Sequence, residues 1–285
     1  MKLVAVTGAG GFIGTELCAL FESHGIQVIR LMRHRRPGLA STDWSLGEPL
    51  PRNCEAVDAV IHLATAAFGK SAAMTEAVAA DVNGTRVLAD SVRALKRNGN
   101  RPRFIFMSSQ SARPDASNAY GRSKWAIENL LNQPDEISVR AGLVYGEAPA
   151  SVFALFERLA RLPVVPVVQS NAAIQPIHVR ELADCVLAIL EMDAPPRLFE
   201  LGAVEPMTFA QAVRAAAARA HKRAPVMIPM PVSLARFAAG VVDRLFRPAP
   251  SIGERLEGLI SLRPMNTAPS LRLVGRQLKP LSDCV

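Results

Sequence analysis

Aromatic residues are scarce in this 285-residue chain, at 5%, with two tryptophans and two tyrosines. Basic residues without interleaved aromatics offer no platform on which nucleobases could stack. The net charge of +8 comes from 33 basic and 25 acidic residues. These are dispersed and no nucleic-acid motif gathers them, so a nucleic-acid partner is not expected. An anionic small molecule is the simpler partner. Cysteines are few as well. Cys18, Cys54, Cys185 and Cys284 show no C-x-x-C spacing and no paired histidine ligands. That argues against a metal site and a disulfide framework, and it fits a reducing cytoplasm. Long apolar runs are missing, so no membrane span is expected. The short apolar run after Met1 and Lys2 stops at glycines without a small-residue cleavage site, so a secretory signal is not expected either. What remains is a chain that is 49% hydrophobic. It is long enough for one large domain, or for a domain plus a smaller lobe.

The most informative stretch is Leu3 to Gly14, LVAVTGAGGFIG. Leu3-Val4-Ala5-Val6 reads as a buried parallel strand, and a helical pattern follows through Leu17, Leu20 and Phe21. Strand, glycine turn and helix in that order make a dinucleotide-phosphate site. Gly8 lets the chain turn, Gly11 lets the backbone approach a pyrophosphate, and Gly14 lets the helix pack on the sheet. Gly10, Phe12 and Ile13 complete the loop, and the free N–H groups of the helix start face the anion. Gly25 to Met32 reads as the second strand. An acidic residue at its end would hold a ribose 2′-hydroxyl. Met32 stands there instead, followed by Arg33, Arg35 and Arg36. Guanidinium groups suit a 2′-phosphate, so the expected cofactor is NADP rather than NAD, with Arg33 its best single ligand.

Residues 37–51 read as a loop, with Trp44 covering the sheet edge. Val57 to Ala64 is the next buried strand. His62 reads as a packing residue at its end, and Leu63, Ala64 and Thr65 lie beside the cofactor. Met74 to Leu95 has helical period, interrupted by Asp81-Val82-Asn83-Gly84-Thr85. Polar residues and glycine are unfavourable mid-helix. Either Asn83 bonds to backbone or a bound water, or the helix is bent around a satisfied asparagine. Arg103 to Met107 is a strand carrying Ser108 and Ser109 at its carboxyl end, where open α/β sheets place ligands. Tyr120 and Lys124 then share one face of a new helix. A free tyrosine, with a pKa near 10, is a poor base at neutral pH. A nearby ammonium would lower that value, and a serine hydroxyl could hold a carbonyl beside the phenol.

With these pieces in order, the sequence resembles the extended short-chain dehydrogenase/reductase superfamily, in its NAD-dependent epimerase/dehydratase branch. TGAGGFIG, VDAVIHLA, DVNGT, FIFMSS, YGRSK, Arg140 to Gly146 and Gln175 to Ala183 carry the resemblance. It implies an α/β fold, a doubly wound parallel Rossmann sheet with a smaller C-terminal α/β substrate lobe. Residues 1–145 and a segment near 174–202 would form the first unit, and 146–173 with 203–285 the second. It further implies Tyr120 as acid/base, Lys124 as its partner, Asn83 as the helix asparagine, and a serine of the pair, Ser109 before Ser108. Val144 would line the nicotinamide end. Gln110 and Ser111 stand where dehydratases carry an Asp-Glu pair, which argues against dehydration. Ala141 replaces the usual proline after Arg140.

The implied activity is NAD(P)-dependent hydride transfer at a carbinol or carbonyl carbon, as reductase or epimerase. The implied substrate is a small molecule, anionic or nucleotide-linked. Relatives dimerise through two helices per subunit, here Met74–Leu95 and Tyr120–Leu131. The alternative is a non-catalytic NADPH-binding protein serving assembly or redox sensing. The last third says less. Val152 to Leu162 and Thr208 to His221 read as helices, the latter capped by Thr208. Val232 to Phe246 is amphipathic, with Leu234, Phe237, Ala238, Val241, Val242 and Leu245 on one side. That side is expected to pack into the small lobe, although Arg236, Arg244 and Arg247 would also suit a membrane surface. Arg255, Arg263 and Arg272 could meet an anionic substrate.

Overall fold

Alternation inside short apolar strands decides the layering of this molecule. The computed structural model describes residues 2–34, 40–66, 74–95, 101–146, 152–219, 223–246 and 251–279. Its first half runs β1 (Leu3–Thr7), α1 (Phe12–Ser23), β2 (Gln27–Met32), β3 (Thr42–Asp43), β4 (Ala59–His62), α2 (Met74–Ala94), β5 (Arg103–Ser109), α3 (Ala119–Leu130) and β6 (Glu136–Ala141). Its second half runs β7 (Leu143–Tyr145), α4 (Val152–Leu159), β8 (Val164–Gln169), β9 (Pro176–His178), α5 (Val179–Glu191), β10 (Leu198–Leu201), α6 (Phe209–Arg219), β11 (Val226–Pro231), α7 (Val232–Phe246), α8 (Ile252–Ile260) and α9 (Thr267–Leu273).

Seven strands form one sheet in the order β10-β6-β5-β4-β1-β2-β3. Every pairing in it is parallel. Successive side chains of a strand point to opposite faces, so each central strand feeds two cores. Val4, Val6, Ile61, Ile105 and Met107 pack with Leu17 and Phe21 of α1 and with Leu182, Val186 and Ile189 of α5. Ala5, Val60, Phe104 and Phe106 face the other way, onto Leu88 and Val92 of α2 and Ile127 of α3. Strand order reverses between β1 and β4, and their carboxyl ends open a crevice there.

A third core belongs to the later elements. Phe156 of α4, Ala212, Val213 and Ala216 of α6, Leu259 of α8 and Tyr145 of β7 bury one another. β8 pairs with β11, and β7 with β9, both in parallel. β11 has no clear signal in the sequence, because Pro229 and Pro231 interrupt it. Proline is tolerated in a two-stranded ribbon, where each strand has a free edge. The α4 helix stops three residues earlier than its apolar pattern predicts. Arg161 and Leu162 donate to carbonyls three residues back, a tightened last turn ahead of Pro163.

The α7 helix overturns one expectation. Its buried residues are Ala235 and Ala239. The larger residues face out: Leu234 is 53% exposed, Phe237 71% and Leu245 69%. At 100° per residue, Leu234, Phe237, Val241 and Leu245 form a stripe about 80° wide, its centre about 140° around the helix from that of the alanines. The alanines are small enough to dock closely, so they are the side that packs. Of the other residues singled out in this third, His221 and Arg247 lie outside the described residues. Among the described residues, no helix is long and apolar enough to cross a membrane.

Candidate active site

The site is assembled where three strand ends meet. After β1, Gly8 adopts φ +65°, a left-handed conformation that side chains other than glycine resist. A Cβ on Gly8 would lie 3.0 Å from the Ala64 nitrogen, and one on Gly14 would lie 2.5 Å from the Gly8 oxygen. The turn is therefore pressed against both β4 and its own helix. Gly11 begins α1 with no side-chain cap, and no acidic residue stands in the first turn. The helix start thus presents its N–H donors without a carboxylate in competition, which fits a dinucleotide pyrophosphate. Arg33 is exposed just past the end of β2, while Arg30 is held by Glu22 at 2.7 Å. Arg35 and Arg36 lie outside the described residues, as does Cys284.

Below the glycine turn runs a chain of hydrogen bonds whose directions can be assigned. The Thr85 hydroxyl donates to the Asp81 carbonyl at 2.8 Å, so it must accept from Nε2–H of His62 at 3.0 Å. Nδ1 of His62 then accepts from the Thr7 hydroxyl at 2.8 Å. The Thr7 oxygen in turn accepts from the N–H groups of Leu63 and Ala64. Burial first, and the Lys124 charge second, push the imidazole down to about 3. His62 is a neutral packing residue, as its place in the strand predicts.

Tyr120 and Lys124 sit one turn apart on α3. Asn118 caps this helix, its side chain accepting from the Gly121 N–H at 3.0 Å. Gly121 is needed because a Cβ there would lie 2.5 Å from the Ser111 oxygen. The two serines separate cleanly. Ser109 hydrogen-bonds to Tyr120. Ser108 instead donates to Glu128 at 2.6 Å, and Glu128 is ion-paired with Arg140 at 2.6 Å. Lys124 is 2% exposed, with Nζ 5.5 Å from the Tyr120 ring centroid and 4.6 Å from that of Phe106.

The electrostatics differ from the sequence expectation. The Tyr120 phenol is pushed up to about 12, first by burial and then by the Asp81 carboxylate, against the pull of Ser109. Lys124 is lowered by burial, while Asp81 and Glu128 hold its proton on. Burial, ahead of the Asp81 carboxylate, therefore holds the phenol above its ordinary value despite the neighbouring ammonium.

Asn83 is exposed. It stands two residues from Asp81, about 200° around the helix, so with Asp81 turned inward Asn83 must face out. The polar residue that matters is Asp81, which the sequence reading passed over. Its Oδ2 accepts from Ser123 at 2.5 Å and from Thr65 at 3.1 Å, and its Oδ1 from the Ala66 N–H at 2.8 Å. A polar cluster ahead of a mid-helix glycine was the available signal. Gly84 itself is explained by Leu46, whose side chain would lie 2.5 Å from a Cβ there.

Other expected residues spread out. Val144 is half-buried in β7. Arg263 is paired with Asp115 at 2.5 Å, and Arg255 and Arg272 are exposed. A cleft of about 400 Å³ in the C-terminal lobe is lined by Ser117, Gln169, Asn171, Arg236 and Glu257. Ser117 brings it to the loop before Tyr120. Cys18, Cys54 and Cys185 are buried free thiols raised to about 11, 11 and 12, chiefly by burial. Among the described residues, no cluster of side chains could hold a metal ion.

Residues 4–202 match the model of the NAD dependent epimerase/dehydratase family. The chain is 29% identical over 197 residues to the ceramide reductase of Caulobacter vibrioides (strain NA1000 / CB15N), covering 65% of this chain and 60% of that protein. It is 26% identical over 198 residues to NADH dehydrogenase (ubiquinone) 1 alpha subcomplex subunit 9, mitochondrial, of Dictyostelium discoideum, covering 66% and 55%. These alignments therefore span less than two thirds of either curated relative. Among solved structures, a human epimerase family protein (SDR39U1, isoform 2) with NADPH superimposes at a TM-score of 0.72 and 19% identity. That match covers 99% of this chain and 97% of that one. At such identity the likeness is one of fold.

Proposed function

The chain belongs to the NAD dependent epimerase/dehydratase family, and from that premise we propose that it is an NADP-dependent reductase of a carbonyl compound, with Tyr120 as its acid. Gly8, Gly10, Gly11, Phe12, Ile13 and Gly14 would hold the pyrophosphate, and Arg33 the 2′-phosphate. Leu63, Ala64, Thr65, Lys124 and Val144 would line the rest of the dinucleotide. When bound, that cofactor supplies a hydride to the carbonyl carbon. Ser109 would orient the carbonyl oxygen, and Tyr120 would give it a proton. The phenolate left behind lies beside the Lys124 ammonium until solvent reprotonates it.

The observation that carries this reading is the Ser109–Tyr120 pair beside a buried Lys124. With its phenol pushed up to about 12, Tyr120 rests neutral at pH 7, the form that has a proton to give. Similarity to a ceramide reductase supports the same direction. If the cofactor stayed bound through both half-reactions, the same groups would make an epimerase. The cleft at Ser117 could take the far end of a substrate, and since its Arg236 is already paired with Glu257 at 2.6 Å it gives no preference for an anion.

The test is NADPH oxidation against a panel of ketones and aldehydes, both lipid-like and nucleotide-linked. Tyr120→Phe is expected to cut kcat at least about 100-fold while leaving NADPH binding intact. Turnover that survives in the variant would remove Tyr120 from the mechanism. Similarity to an NADH dehydrogenase subunit favours a second reading, a non-catalytic NADPH-binding component. Tight NADPH binding with no turnover of any carbonyl would favour that one.

A further inference from the structure

The catalytic reading above leaves the Asp81 carboxylate without a task, yet it is 0% exposed. It joins three parts of the site. Thr65 and Ala66, which follow β4, both donate to it, and so does Ser123, which lies on α3 between Tyr120 and Lys124. Its own backbone carbonyl receives the last link of the chain running from Thr7 through His62 and Thr85. We propose that Asp81 is a positioning residue that clamps the catalytic helix to the cofactor loop and, through its charge, sets how tightly Tyr120 holds its proton. This rests on the reading of Tyr120 as the acid.

The charges around the pair leave that task to Asp81. Tyr120 faces Ser109 from β5, Lys124 from its own helix and Asp81 from α2. Lys124 faces His62 of β4, the Phe106 ring of β5, and the carboxylates of Asp81 and Glu128. His62 is neutral. Glu128 is matched by Arg140, which also reaches Glu200 at 3.3 Å. Among the described residues Asp81 has no arginine partner, and its hydrogen-bond donors there are two hydroxyls and one amide. Its charge therefore acts on the phenol and the ammonium together. A carboxylate beside a phenol disfavours the phenolate. Tyr120 therefore rests as the neutral phenol, and the phenolate left once it has given its proton is a stronger base, which favours its return to the neutral form.

The experiment uses the composition of the chain. It has two tyrosines, Tyr120 and Tyr145, so tyrosine labelled with ¹³C at the ζ carbon gives two NMR signals, which Tyr120→Phe assigns. Asp81→Asn can keep its partners, since its carbonyl oxygen can accept from Ala66 and its amide can donate to the Ser123 and Thr65 hydroxyls. The Tyr120 titration midpoint is expected to fall by about one pH unit or more in Asp81→Asn, because the like charge is gone. NADPH affinity, read by fluorescence titration, should stay within about twofold there. In Asp81→Ala the midpoint should fall as well, and NADPH affinity should drop about tenfold, because the loop loses buried hydrogen bonds.

A midpoint unmoved in Asp81→Asn overturns the proposal. So does a variant that only lowers Tm, which is what a purely structural carboxylate would do. The midpoint is read without substrate. A falling midpoint with no carbonyl reduced by the wild type would uphold the electrostatic role of Asp81 and sink the reductase reading alone.

Discussion

His62 carries the most direct consequence at the scale of one residue. Its imidazole is fully buried, donates to Thr85 and accepts from Thr7. Its folded value lies near 3, against 6.5 for the free side chain. The unfolded chain therefore binds a proton that the folded chain refuses between those limits. Stability is whole above about pH 6.5 and is lost as pH falls toward 3. Between pH 7 and 4 the wild type is expected to lose about 3 kcal/mol through this residue. Urea titrations of wild type and His62→Gln should show that difference in slope; parallel pH profiles would mean that His62 protonates freely. The same scale shows what a sequence can and cannot disclose. Tyr120 and Lys124 were legible as a pair from their four-residue spacing, while the preference for Ser109 over Ser108 came from the family resemblance and not from spacing. Asp81 was not legible, because a polar run in a helix gives the residues without the phase. A step of two residues moved the expected role onto the exposed Asn83.

Among elements, α7 and α4 make the matching contrast. Both read as helices, and α7 as an amphipathic one. A periodic pattern states that one side is apolar and leaves open which side meets protein. In α4, Phe156 is 0% exposed, inside the third core. In α7 the large residues stand outward and two alanines do the packing. Phe156→Ala is expected to cost about 3–5 kcal/mol, as for other buried phenylalanines. Phe237→Ser should cost within about 0.5 kcal/mol, as a surface substitution. Urea midpoints measure both, and a large loss at Phe237 would show that the stripe is covered in solution. β1, β4, β5 and their turns were readable because strands buried on both faces are nearly continuous apolar runs. β11 hid behind its prolines.

Across the whole molecule, function depends on strand ends brought together from distant parts of the chain. The sheet order places the turn after β1 against Ala64 after β4, with Ser109 one strand further on. That convergence was legible from the order of the motifs. The joint between sheet and C-terminal lobe was not. Gln110 donates to the carbonyls of Ala173 and Arg263, and buried Gln175 to those of Ala203 and Met265. No local pattern announces that residues so far apart will meet. Because the proposed dinucleotide would touch β1, β2, β4, α1 and α3 together, its binding should stabilise the fold as a unit. NADPH at about 100 times its Kd is expected to add about 2.7 kcal/mol, seen as a single cooperative rise in Tm. NADH at the same concentration should add less, because Arg33 gains a charge-assisted partner only from the 2′-phosphate. Arg33→Ser should then weaken NADPH about tenfold and leave NADH unchanged. Equal Tm shifts from both cofactors in the wild type would assign the 2′-phosphate no ligand at Arg33 and return the choice of cofactor to NAD.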